Sequence, residues 1–421
     1  MVKPTAKQIN IPDQHYACTN CGMCCRDLYL HVTPDDLKRL DALKWPAGTG
    51  PTGPITTTIN GVPYLAHQLT DGAEHCVFLD PATNLCKIHG QFGAAAKPLG
   101  CRVYPYNIAP TFADRYSVVA RHDCPAVREP GGTPIREDLP AIRDYMSHMR
   151  FRSGFDSDTC DGLTEATIET YLRQLFAEVL NNKALTTRGK MLCALLAAQR
   201  AERLGAPFLN DSGVSEAELY GSFYERIRSD AAALEPREMS AVERLRFYLV
   251  LMAYLRRDDS FVLKGRSARL RRSWGMLGIF LRSGSGSDLG TGHPDVPISQ
   301  KLLFDEPLPD LDAIDWSRYL DLVRVRLQAY QFFGDSNFDY SFWDGLKTLF
   351  FTFPLVIAAA KWSASARDEA VCTITTADID YAIGAIDHSF GRSAFLKMPT
   401  FTILTRQMVD PPAYQRLLHY L

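Results

Sequence analysis

Residues 18–25 read Cys18-Thr-Asn-Cys21-Gly-Met-Cys24-Cys25, four thiols within eight positions. Thiolates are soft, strongly metal-binding ligands, and a small residue such as Gly22 lets closely spaced ones wrap one ion or cluster without a long ordered loop. Moving outward, Cys76, Cys86, Cys101 and Cys124 place eight of the chain's eleven cysteines in the first 124 positions. The run therefore sets the expected fold class, α+β: a small Cys-rich metal-binding domain with short strands and hairpins over residues 1–135, followed by a mostly α-helical domain over 136–421.

The residues between the cysteines supply the strands and turns. Thr33-Pro34-Asp35-Asp36 opens a helix: Thr33 caps, Pro34 suits the first helical position, and the aspartates complement the positive end of the helix dipole. Asn60-Gly61 between two β-prone runs, Ile55–Ile59 and Val62–Leu65, signals a two-residue hairpin. His75-Cys76 through Cys86-Lys-Ile-His89 reads as a second hairpin that brings Cys76 and Cys86 to one locality. Lys97-Pro98-Leu-Gly100-Cys101-Arg102 puts Cys101 on a tight bend, and the strand-like Arg115–His122 delivers Cys124. Adjacent Cys24 and Cys25 point to opposite sides of an extended backbone, which argues against both serving one ion.

From about residue 135 apolar residues recur at spacings of three and four, which predicts helices near 140–151, 165–180, 187–204, 215–230, 241–257, 312–333, 343–363 and 377–390. Gly131-Gly132, Pro236 and 283–293 are the expected joints, the last an internal joint of the helical domain. The most apolar run, Thr348–Ala360, lies between Lys347 and Lys361 and contains Pro354. It falls short of the roughly 20 residues that span a bilayer and is expected as a buried helix.

Composition bounds the function. The chain has 421 residues, 46% hydrophobic and 22% charged, with a net charge of −2, so no overall attraction draws it to nucleic acid or to an anionic membrane, and neither is expected as a partner. The first ten residues lack the apolar stretch of a secretory signal, which predicts a cytoplasmic protein with reduced thiols rather than disulfides.

The spacing Cys-x2-Cys-x2-Cys-Cys, then Cys76 and Cys86, then Pro98-x2-Cys101-Arg102-x-Tyr104-Pro105, resembles the CxxCxxCC (YkgJ-type) cysteine-cluster family, a zinc- or iron-chelating domain. Longer members with a helical C-terminal portion look like flagellin lysine-N-methylases, in which the closing element is similar to His122-Asp-Cys124-Pro125-Ala-Val-Arg here. The first element differs, because the methylases space their double cysteine more widely. The resemblance implies Cys18, Cys21, Cys24, Cys25, Cys76, Cys86, Cys101 and Cys124 as metal ligands and tips the cofactor toward an iron–sulfur cluster, 4Fe-4S, over zinc. In its finer form it implies S-adenosylmethionine as a methyl donor and a protein substrate or partner. Ligand type alone admits both metals, since each accepts four thiolates, and eight thiols fit two four-thiolate sites or one site with spares.

Other residues are weighed against ordinary roles. His15, His75, His89 and His122 lie near cysteines and are candidate ligands or hydrogen-bond donors to ligands, with loop histidines as the plain alternative. Arg102, Tyr104, Arg121 and Asp123 flank the thiols, where a guanidinium would offset thiolate charge or ordinary Arg–Asp pairing would hold. Cys160, Cys193 and Cys372 are isolated and read as packing residues. The glycines of Gly284–Gly292 lack a strand before and a helix after, so they read as a linker rather than a nucleotide loop. The basic run Arg256–Arg272 reads as a solvated helix face. Asp339, Tyr340, Trp343 and Asp344 either cradle a lysine side chain or cap and pack a helix start.

Overall fold

In a computed structural model, the protein is described from residue 8 to 421 apart from 60, 71–72, 212–215, 235–237, 257–292, 295, 297, 306–310, 368–372 and 394–395. The glycine-rich run, nearly all of the basic run and joint region, Pro236 and Cys372 lie outside the described residues.

The N-terminal region, residues 8 to about 138, is mixed α/β. Its centre is a three-stranded sheet in the order β1 (Gln8–Asn10), β10 (Arg115–Ala120), β9 (Tyr106–Pro110), with β1 parallel to β10 and β9 antiparallel to it. The alternation along β10 explains its burial on both faces. Tyr116, Val118 and Ala120 pack with Ile108, Ile142 and Met146, while Val119 packs on Val325 and Ala329 of the helical region. Ile142 and Met146 belong to a helix, Leu139–Ser147, that lies on this sheet.

Around the sheet, β2 (His15–Tyr16) pairs antiparallel with β11 (Thr133–Pro134), and three hairpins stand among the described residues: β3 (Thr56–Ile59) with β4 (Val62–Leu65), β5 (His67–Thr70) with β6 (Ala73–Cys76), and β7 (Leu79–Asp80) with β8 (Leu85–Cys86). The first is the expected one, with Gly61 at φ +81° in its turn. In the second expected hairpin the strands are β7 and β8, so Cys86 faces Leu79 while Cys76 closes a different hairpin opposite His67. The short helices α1 (Met23–Asp27), α2 (Pro34–Asp41), α3 (Lys87–Phe92), α4 (Leu99–Val103) and α5 (Pro125–Arg128) fill the spaces between. Helix α2 starts as expected: the Thr33 hydroxyl accepts from Asp36 N at 3.1 Å, and Asp36 Oδ2 accepts from Thr33 N at 3.2 Å. Cys101, expected on a bend, sits inside α4, because Pro98 provides the entry to a helical turn that the Leu99–Val103 run continues.

The C-terminal region is mostly helical. Its axis is the helix Phe342–Ser365, whose most apolar 18-residue window is 89% buried inside the protein. The core of this molecule accounts for that apolarity, as expected from its Lys flanks and Pro354. The helices Glu165–Leu175, Thr187–Leu204, Ala241–Leu255, Ser317–Gln328 and Thr376–Ser389 surround it within one hydrophobic cluster. Cys160 and Cys193 pack in this cluster. Two further helices, Pro399–Met408 and Pro411–Tyr420, were not anticipated, although the second buries Pro411, Ala413, Tyr414, Leu417 and Leu418 on one face at helical spacing. Gln331 joins the two regions: its amide donates to Asn107 O at 3.1 Å and Ser117 Oγ at 3.1 Å, and accepts from Asn107 Nδ2 at 2.8 Å.

Candidate metal centre

Every one of the ten described cysteines is a free thiol. The eight N-terminal ones fall into two groups. Cys24 and Cys25 from α1, Cys76 from the end of β6, Cys86 from β8 and Cys101 from α4 line one cavity of about 40 Å³ together with Leu28, Leu30, Leu65, Phe78 and Ile88. That volume exceeds the roughly 10–15 Å³ that a cavity needs to hold one water, so it admits an ion. The expectation that Cys24 and Cys25 diverge is corrected here. They lie in a helical turn, not on extended chain, so both reach the same cavity and their side chains hydrogen-bond to each other.

The thiols also act on one another electrostatically. Burial pushes the Cys76 thiol up to about 12, and the neighbouring Cys86 and Cys24 add to the rise. Burial raises Cys101 well above its ordinary value, with Cys76, Cys86 and Cys24 contributing. The hydrogen bond with Cys25, then burial, raises Cys24 strongly. Lys97 opposes the rise at all three. Such thiols stay protonated unless a cation joins them. Among the described residues no group of three or more His, Cys, Asp or Glu side chains stands in ready coordinating geometry. The thiols converge on the cavity without closing on a point. As a donor set they fit a soft metal, with apolar walls and no carboxylate lining the cavity.

Cys18, Cys21 and Cys124 form the second group. Cys18 and Cys21 are exposed and Cys124 is buried at the start of α5. Burial raises the Cys124 thiol to about 11, with Asp123 and Cys21 adding to the rise, while its hydrogen bond to Tyr104 opposes it. Cys18 and Cys124 both act on the hydroxyl of Tyr16, which hydrogen-bonds to Cys18. Gly22, at φ +69°, turns the chain between the groups; a Cβ there would stand 2.6 Å from Arg26 Nη1, the atom that donates to Cys21 O.

The histidines divide as well. His15 and His89 are exposed, His75 Nδ1 lies 2.9 Å from Cys76 O, and His122 Nε2 lies 3.5 Å from Asp321 Oδ2. Arg102 turns toward Asp144 at 3.5 Å, and Arg121 pairs with Asp123. At the start of the Phe342–Ser365 helix, Asp339 accepts from Arg152 and Lys397 and Asp344 from Arg406. Trp343 is buried edge-on to Tyr171 at 5.1 Å. That group follows the ordinary pairing and packing reading.

Sequence reasoning missed the partners that the helix Thr376–Ser389 brings to Asp123, the neighbour of Cys124. Asp387 Oδ2 accepts from Asp123 N at 3.2 Å, His388 Nδ1 is 3.3 Å from Asp123 Oδ2, and Arg326 pairs with Asp387. Arg392 donates to the carbonyls of Asp387 and His388 at the helix end. Burial alone would raise Asp123, but Arg121, His388 and Arg392 outweigh it and hold the carboxyl well below its ordinary range. Burial, reinforced by Arg121, brings the Arg392 guanidinium down to about 10. The available signal was a set of polar residues on an otherwise apolar helix, Asp380, Asp387 and His388 among Ile379, Ile383 and Ile386.

Two recesses open beside Tyr104 and His388. One, of about 420 Å³, is lined by Tyr29, His31, Tyr106, Arg121 and Arg392 among others; the second, of about 370 Å³, by Cys24, Asp123, Arg128, Glu129, Asp380 and Tyr381. Taken together, a mixed α/β region holding two thiol groups defines a cysteine-cluster domain. Residues 17–125 match the CxxCxxCC family, described as "putative zinc- or iron-chelating domain", so an N-terminal domain of that type is present. No curated protein and no solved structure matches the chain.

Proposed function

We propose that the N-terminal region is a metal-binding module in which Cys24, Cys76, Cys86 and Cys101, with Cys25 beside them, hold a zinc ion or an iron–sulfur cluster, and in which Cys18, Cys21 and Cys124 form a second thiol group, exposed at Cys18 and Cys21 and buried at Cys124. The observation that carries this reading is the convergence of thiols from α1, β6, β8 and α4 on one apolar cavity. Zinc in a closed thiolate site would crosslink the module, and an iron–sulfur cluster would add electron transfer. The chain's own residues do the rest. Leu28, Leu30, Leu65, Phe78 and Ile88 keep water out, and Lys97 offsets thiolate charge. Anaerobic purification followed by iron, sulfide and zinc analysis tests it: stoichiometric metal supports the reading, and absence of all three after reconstitution overturns it.

A second reading, protein lysine N-methylation with S-adenosylmethionine, follows from the layout shared with flagellin lysine-N-methylases. One observation favours it: the 370 Å³ recess beside Cys24 is lined by Glu129 and Tyr381, which suit an ammonium group, next to Asp123 and Asp380, which are paired with Arg121 and with Arg128 and Arg318. Intact-mass analysis of candidate protein substrates incubated with the protein and S-adenosylmethionine checks it. Added methyl increments support methylation; unchanged masses across reconstituted preparations count against it.

A further inference from the structure

The 420 Å³ cleft does not use the thiols, and its charge is unbalanced. Among the described residues, the carboxylates that pair with Arg121, Arg326 and Arg392 in the network behind it are Asp123 and Asp387, three guanidinium groups to two carboxylates. Arg121 Nε and Arg392 Nη1 are buried without a hydrogen-bond partner among the described residues. Buried cationic donors are ordinarily satisfied, because an unmade bond leaves the desolvation cost uncompensated.

The remaining carboxylate in the wall, Asp36, offers no compensation. Its Oδ1 accepts from Arg39 Nη1 and Leu99 N, both at 2.9 Å, and its Oδ2 from Thr33 N at 3.2 Å and Thr33 Oγ1 at 2.7 Å. The rest of the cleft is a flat apolar and aromatic enclosure. Tyr29, Leu30, Val103, Tyr106 and Met149 line it. Tyr29 is held in place by stacking on His67 at 4.0 Å, and Tyr104 by the Arg121 guanidinium 5.3 Å above its ring. His31 lies exposed at the mouth.

We infer that this cleft binds a small oxyanion carried on an aromatic body, a carboxylate or a phosphate monoester, with Arg121 and Arg392 facing the oxyanion and the tyrosines flanking the ring. A cavity of 420 Å³ falls within the range of small-molecule sites, and a few fixed polar groups in apolar walls is how such sites choose their ligands. The guanidinium fork suits both oxyanions.

The test is calorimetric titration of the full chain, as purified, with benzoate, phenyl phosphate, inorganic phosphate and uncharged benzyl alcohol. Saturable binding of benzoate or phenyl phosphate, stronger than that of benzyl alcohol, is expected, and whichever of the two binds more tightly names the oxyanion. Arg392→Gln should weaken that binding at least ten-fold. His31→Glu, at an exposed position where folding is not at risk, should weaken it several-fold by placing a negative charge at the mouth. No saturable binding of any oxyanion probe, or equal affinity in the wild type and His31→Glu, would overturn the inference. The metal content of the same preparation is a separate readout, so failure of the metal-centre reading leaves this result interpretable.

Discussion

At the scale of single residues, the pair Arg326–Asp387 shows what the sequence conceals. Both side chains are at most 2% exposed, and they come from helices 61 positions apart. Removing one partner of a buried pair leaves an uncompensated charge, so Asp387→Ala should cost about 3–5 kcal/mol in denaturant unfolding. The pH dependence has a fixed sign. Burial would raise the Asp387 carboxyl, but Arg326 and Arg392 reverse that and hold it below its ordinary value. A depressed carboxyl stabilises fully above its unfolded pKa of roughly 4, and that contribution is lost as pH falls through the folded value. The difference in Tm between the wild type and Asp387→Asn should therefore hold steady above about pH 5 and shrink as pH falls below about 4; a difference that stays constant down to about pH 2.5 would show that the carboxylate charge is not the source. The cysteines were legible because their chemistry is local and their spacing short. Asp387, His388 and Arg392 were not, because their role is set by Asp123, more than 260 positions away.

At the scale of elements, the legible signals were those with a local physical cause. The Thr33-Pro34-Asp36 start, the Gly61 turn and the buried helix around Pro354 were each anticipated, since capping, positive φ and apolar length act within a few residues. The short helices around the thiols were not, because five-residue helices such as α1 and α4 are marginal by themselves and are fixed by packing. Helix α2 provides a contrast that can be measured. Thr33→Ala removes one cap and should cost about 1 kcal/mol. Asp36→Ala should cost more, because this buried carboxylate also accepts from Leu99 N at the start of the helix that carries Cys101. Thermal unfolding of both variants checks the order, and equal costs would show that the bridge from α2 to α4 contributes nothing.

At the scale of the whole molecule, a small cysteine-bearing α/β region rests on a large helical one. The split was visible as a change in sequence texture, whereas the interface was not, since Gln331 meets Ser117 of the sheet and the Thr376–Ser389 helix meets Asp123 from more than 200 positions away. Metal content for a full set of Cys→Ser variants tests the central claim most directly. A lost ligand leaves both an open coordination position and unbalanced thiolates. Serine at Cys24, Cys76, Cys86 or Cys101 should cut metal per chain and lower the Tm together, and serine at Cys160 or Cys193 should leave metal per chain unchanged. Equal metal loss at Cys160 and Cys193, or no loss at Cys76 and Cys101, would contradict a metal centre at this cavity.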